Sequence, residues 1–275
     1  MNEFRQSQGT AQAPLAGPNI AFLPALLLAS ALAFLSAPAA RAEGCDAAGA
    51  TEIEIAKVTD EFDIVLKDER NIRLAGVKIF STEAGQEPAI KPAAYVEQAE
   101  AGGPATLRLL APISDRWGRL SGDVFVGGRN LQVSLAEKGL AVARPDDLRS
   151  ACYDAIKAAE GRARRENAGF WGKPDAILKA TDGAKLVERD GSFILASGEV
   201  RHVSRRKNLA FVDFGAPGTE SLYLTIDNRA LTRMEKLGFK LEQLTGRRIL
   251  VRGVVLSGRS PHMGIDDLEA IEFWD

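Results

Sequence analysis

Ile53-Glu54-Ile55-Ala56-Lys57-Val58, Phe62-Asp63-Ile64-Val65-Leu66 and Ile72-Arg73-Leu74 are the three runs on which the reading of this chain turns. In the first, Ile53 and Ile55 alternate with polar residues before Val58 closes the run, the period-2 pattern of a strand with one buried face. Short polar turns separate the runs. Asp68-Glu69-Arg70-Asn71, between the second and third, predicts a hairpin. Three short strands in succession make a meander.

Downstream, a stretch with Pro88 and Pro92 leads into a short helical segment, Ala93–Ala101, stopped by Gly102-Gly103-Pro104. Strands are predicted at Thr106–Leu110 and Gly122–Val126. A helix-spaced segment, Leu131–Lys138, stops at Gly139. An amphipathic helix over Leu148–Asn167 ends at Gly169-Phe170-Trp171-Gly172 and is expected to pack that end onto the strands. Five strands with a helix between the third and fourth is the order of an OB-type barrel. Beyond a linker beginning at Ala176, the order repeats. Strands are expected at Ser192–His202, Leu209–Phe214 and Ser221–Ile226, then a helix at Asn228–Leu237, then strands at Arg248–Ser257 and Gly264–Phe273. The predicted fold class is mainly β with helices (α+β): two five-stranded OB-type barrels over residues 45–175 and 188–275, joined by 176–187, the first with an added C-terminal helix.

Upstream, an apolar run from Ile20 to Leu35 is followed by small residues and Ala40-Arg41-Ala42, an A-x-A cleavage pattern. Residues 1–42 are therefore expected to be a signal peptide, which places the remainder in the periplasm or outside the cell. An uncleaved membrane anchor is the alternative, since Ile20–Ala40 nearly matches a bilayer span. Two cysteines follow, Cys45 and Cys152. In an oxidising compartment they are a disulfide candidate, which on the chain-entropy model stabilises by up to ~4 kcal/mol. Two unpaired thiols are the alternative. The net charge of −2 argues against a chain that is a basic nucleic-acid clamp throughout.

Val58-Thr59-Asp60-Glu61-Phe62-Asp63 and Ile72-Arg73-Leu74-Ala75-Gly76-Val77-Lys78-Ile79-Phe80-Ser81 resemble two blocks of the staphylococcal nuclease (thermonuclease-like) family. Asp115-Arg116-Trp117-Gly118-Arg119, Val133-Ser134-Leu135 through Gly139-Leu140-Ala141, and the Cys152 helix with Gly169-Phe170-Trp171 resemble three further blocks, in order. The resemblance implies a calcium-dependent phosphodiesterase in which two arginines neutralise the phosphate. Arg73 and Arg119 match them; a guanidinium fork suits phosphate oxygens and the charge that develops on them. Simple surface ion pairing, Arg73 with Asp63 or another acid and Arg119 with Asp115, is the competing account.

The acidic positions of the family do not match. Phe62 and Lys78 fall where it has calcium ligands, and Ser81 falls on its catalytic glutamate. Calcium takes roughly six to eight oxygen ligands, and a serine is no general base near neutral pH without an activator. The chain is thus expected to bind no metal, although calcium is the family's cofactor. Asp63 and Glu83 are the nearby acids that a relocated site would use. Asp63 is disfavoured because a one-residue slip turns a strand side chain to the opposite face, and Glu83 is a weak substitute for the base.

Gly198-Glu199-Val200, Phe211-Val212-Asp213-Phe214-Gly215, Gly246-Arg247-Arg248-Ile249-Leu250-Val251-Arg252-Gly253-Val254 and Ile271-Glu272-Phe273 resemble the nucleic-acid-type OB domains found behind such nuclease-like domains. The basic cluster of the second barrel is Arg201, Arg205, Arg206 and Lys207, in a predicted hairpin whose other reading is a solvated tip. His202 and His262 are too few and too far apart for a zinc motif. Three functions remain: a catalytically impaired, exported nuclease-like protein binding single-stranded nucleic acid or another anionic polymer; an active phosphodiesterase with relocated ligands; or a scaffold for an envelope protein partner.

Overall fold

A computed structural model describes residues 45–59, 62–80, 91–100, 103–145, 148–216 and 218–274. The expected leader, and Asp60, Glu61, Ser81 and Glu83, lie outside the described residues. Among the described residues no helix is long and apolar enough to cross a membrane. Both barrels belong to one compact unit.

The first barrel begins with β1 (Thr51–Ile53) and β2 (Ile55–Val58), two halves of one run broken at Glu54, followed by β3 (Ile64–Leu66) and β4 (Asn71–Leu74). Next come β5 (Val77–Ile79), α1 (Pro92–Glu100), β6 (Ala105–Leu109), β7 (Arg119–Val126), β8 (Arg129–Asn130), α2 (Leu131–Glu137), β9 (Ala141–Ala143) and α3 (Tyr153–Arg165). The strands order as β1-β6-β7-β4-β3-β2. Because β1 and β2 are consecutive halves, β1 on β6 and β2 on β3 close the sheet on itself. The parallel contact of β4 with β7 completes the ring. The sequence alternation explains the packing: Ile53, Ile55, Ile64, Leu66, Ile72 and Leu74 are all buried in one core with Leu107 and Val124.

The predicted helix over Leu148–Asn167 is shorter, starting at Tyr153. Ser150 diverts the chain before it. Its hydroxyl accepts from the Cys152 N–H at 2.9 Å and donates to the buried Asp123 carboxylate at 2.6 Å, while its carbonyl accepts from the Tyr153 N–H. Cys152 is bridged to Cys45 with Cα atoms 4.5 Å apart, stapling the start of the described chain to the start of α3.

Past Lys179 the order repeats. β10 (Leu178–Lys179), α4 (Gly183–Val187), β11 (Phe193–Glu199), β12 (His202–Arg205), β13 (Leu209–Asp213), β14 (Tyr223–Asp227), α5 (Asn228–Lys236), β15 (Arg248–Leu256), β16 (His262–Ile265) and β17 (Ile271–Phe273) follow one another. The sheet order is β10-β11-β15-β16-β14-β13-β12. With β11 and β12 as a bent first strand, it closes as the first barrel does, again with a parallel contact, here β14 on β16.

Three expectations change. Residues 176–187, read as a linker, carry β10 and α4, and Leu178, Ala180 and Leu186 are buried in the second core. The strand expected over Ser192–His202 breaks at Val200-Arg201. The strand expected over Gly264–Phe273 divides, because Asp267 caps a one-turn helix by accepting from Glu269 N–H at 2.8 Å, and β17 then returns against β15.

Phe170-Trp171 was expected to pack on the first barrel. It does so and also meets the second: buried Trp171, Val142 and Ala163 from the first pack with Leu195 and Leu250 from the second. The turn is placed by close backbone approach. Gly139 sits at φ +63°, its carbonyl accepts from Phe170 N–H at 2.8 Å, and a Cβ there would lie 2.0 Å from the Ala168 carbonyl oxygen. An ion pair also crosses the junction. Arg252 on β15 donates to Glu160 on α3 through both terminal nitrogens at 2.9 Å, both side chains almost fully buried. Arg252 also donates to the Ala143 carbonyl at 2.9 Å and to Glu272 at 3.2 Å, and Glu272 pairs back to Lys157 and Arg164 on α3.

Candidate functional site

Parallel pairing of β4 and β7 sets Arg73 opposite Ser121 and Asn71 opposite Arg119. By the two-residue period, Arg73 and Arg119 stand on one face of the two strands, away from Ile72 and Leu74. The Arg73 guanidinium donates to Ser121 Oγ at 2.8 Å. Arg119 is gripped more firmly. Its Nε and Nη2 meet Asp115 Oδ2 at 2.9 and 2.8 Å, and its Nη1 reaches Asp63 Oδ1 at 3.4 Å. Arg119 thus pairs with Asp115, as expected, and also with Asp63. Burial pushes the Asp115 carboxyl up, but the Arg119 guanidinium and the N–H groups of Arg119 and Trp117 outweigh it and hold it below the usual carboxylate range.

The hairpin between β6 and β7 carries Trp117, which is 62% exposed. The Arg116 and Arg119 guanidinium carbons lie 3.9 and 4.8 Å from its ring centre. Beside this group, β5 pairs with β9, so Lys78 lies opposite Val142. Burial first, then the positive charges of Arg144 and Arg119, push the Lys78 ammonium below the usual lysine range. Three cations therefore influence one another where the family resemblance places an acidic ligand. Phe62, at the other such position, packs against the core with φ at +66°. Among the described residues no group of three His, Cys, Asp or Glu could hold a metal ion. A phenyl ring and an ammonium are not calcium donors, so these residues do not fit the ion.

Two arginines of the cluster named in the second barrel are paired with acids. Arg205 pairs with Glu235 and, at 3.8 Å, with Glu242; Arg201 pairs with Glu199 at 3.5 Å. Lys207 uses its carbonyl to accept from Asn228. Arg206 donates its backbone N–H to Leu209.

A different set of side chains lines the outer face of this barrel. Register places His202, Asp213, Tyr223 and His262 in one row across β12, β13, β14 and β16, with Ser204, Phe211, Thr225 and Gly264 in the next. Tyr223 stacks on His262 with centroids 5.3 Å apart, and Phe211 lies 6.3 Å from Tyr223. Burial pushes the Asp213 carboxyl up, opposed by His202. The signal was present in the sequence: Phe211 and Tyr223 fall on the polar parity of strands whose other parity is Ala210, Val212, Leu224 and Ile226.

A family model described as staphylococcal nuclease homologue matches residues 71–173. The match runs from β4 through α3 to the Phe170-Trp171 turn, so this part of the first barrel is similar to that nuclease-like class. It includes Arg73, Lys78 and Arg119, while Phe62 and the second barrel lie outside it. No curated protein matches the chain.

Proposed function

We propose that this is an exported nuclease-like protein that binds single-stranded nucleic acid and has lost metal-dependent hydrolysis. The observation that carries this reading is Lys78, a half-buried ammonium pressed by Arg144 and Arg119, at the position to which the family resemblance assigns a metal ligand. A cation there repels a divalent ion and attracts phosphate. The arginine face of the first barrel supplies charge, and the adjacent rings of Phe211, Tyr223 and His262 supply flat surfaces on which bases stack, the usual pairing for single strands. The A-x-A pattern at Ala40-Arg41-Ala42 supports export.

The test is fluorescence anisotropy with a labelled single-stranded DNA, alongside a cleavage assay with and without calcium. The expected result is salt-sensitive binding without cleavage. Arg73→Ala should lower the slope of log affinity against log salt by roughly 0.7, one phosphate contact on a single strand. Calcium-dependent cleavage that Arg73→Ala abolishes would refute the proposal and establish the relocated-ligand alternative.

A further inference from the structure

A cavity of about 340 Å³ opens at the junction of the barrels, at the size where small-ligand pockets begin. Phe80, Phe170 and Phe193 line it with Lys78, Lys173 and Arg189. The Phe80 and Phe170 rings stack at 4.3 Å and 9°, and Phe193 packs with the same junction cluster. The acid in the lining, Asp175, is already engaged by Lys185 at 2.8 Å and feels the charge of Arg189. Among the described residues, the Lys78 and Lys173 ammonium groups have neither hydrogen bond nor ion pair.

Uncompensated charge in a partly dry concavity is unfavourable until an anion enters. A single carboxylate balances one of these cations. A phosphate monoester, at roughly −1.5 to −2 near neutral pH, balances more of them and offers three acceptor oxygens. The phenyl rings beside them match a flat, apolar body. The Arg252–Glu160 pair and the buried Trp171 hold both walls in place, so the cavity exists before any ligand arrives.

We propose that this cavity is a separate binding site for a small aromatic phosphate monoester. The site lies across the first barrel's β5 and the second barrel's β11, and it does not depend on strand binding at Arg73 and Arg119.

Calorimetry on the full chain with 1-naphthyl phosphate tests it, with inorganic phosphate and 1-naphthol as separate arms. Binding of the aryl phosphate well above either fragment is expected. Lys173→Gln and Phe80→Leu should each weaken it roughly tenfold, the loss of one charge-assisted or one ring contact. Arg119→Gln should leave it unchanged, and Lys173→Gln should leave single-stranded DNA binding and the melting temperature unchanged. Absence of binding overturns the proposal. So does equally tight binding of phosphate or naphthol alone, or a loss that follows Arg119→Gln while Lys173→Gln binds normally. Lys78 is left out of the variants because it borders both sites.

Discussion

Replacing Arg252 by methionine should be among the costliest single changes in this protein, and the structure says why. Arg252 binds Glu160 with two hydrogen bonds of 2.9 Å, and the Glu160 carboxylate is only 3% exposed. Once the guanidinium is gone, the described partner left to that carboxylate is the Ala143 N–H. Breaking one side of such a pair costs about 3–5 kcal/mol, because a buried charge stays behind. Glu160→Gln is gentler. Arg252 retains the Ala143 carbonyl and Glu272, itself a quarter exposed, so the expected cost is about 1–2 kcal/mol. Arg252→Met with Glu160→Met removes both charges together, and similar replacements elsewhere are neutral or stabilising. The double variant should therefore be far more stable than the sum of the single ones predicts. Guanidinium unfolding of the native chain, Arg252→Met, Glu160→Met and their double variant, followed by tryptophan fluorescence, measures the coupling. Because the pair joins α3 to β15, the single variant should also separate the transition into two steps. An Arg252→Met chain within about 1 kcal/mol of native, or additive single and double changes, would show that the bridge is not what holds the junction.

Lys78→Met should raise stability at neutral pH, since the native lysine is charged against burial, Arg144 and Arg119. Its folded pKa lies below the unfolded one, so between the two the unfolded chain holds the extra proton and the native protein gains stability as pH rises. The advantage of the variant should accordingly shrink on approaching pH ~10.4, the unperturbed lysine value, as thermal melts across that range will show. Reduction of the Cys45–Cys152 bridge, which spans 107 residues, should cost up to ~4 kcal/mol; equal denaturation midpoints with and without reductant would contradict it. Gly139→Ala combines a left-handed backbone with a Cβ driven into the Ala168 carbonyl, and should cost about 2–4 kcal/mol in a thermal or chemical melt.

Much of the fold was legible because the signals are local. The alternation in Ile53–Val58 and Ile72–Leu74 sets which face is buried, and Gly139 marks where a helix stops. What the sequence hid depends on partners far along the chain. Nothing near Leu148 announces that Ser150 will bond Asp123 and delay α3. Nothing in 176–187 announces that its small apolar residues complete the second core. The candidate site divides the same way. Arg73 and Arg119 were readable from short motifs, and parallel pairing of β4 and β7 puts them on one face. The partner of Asp63, the pressure of Arg144 on Lys78, and the adjacent rings of Phe211, Tyr223 and His262 arise only when strands distant in sequence come side by side. Within the basic run Arg201–Lys207, the acids that meet Arg201 and Arg205, namely Glu199, Glu235 and Glu242, are likewise set by the fold.

The buried guanidinium–carboxylate clasp between α3 and β15 also fixes geometry. Tying the barrels together in this way would hold the arginine face and the aromatic side chains at one separation, like the jaws of a caliper locked at one opening. A polymer long enough to touch both would gain from the second contact without any penalty for freezing a tether, whereas a shorter one would gain nothing. Affinity should then rise in a step at one threshold of strand length.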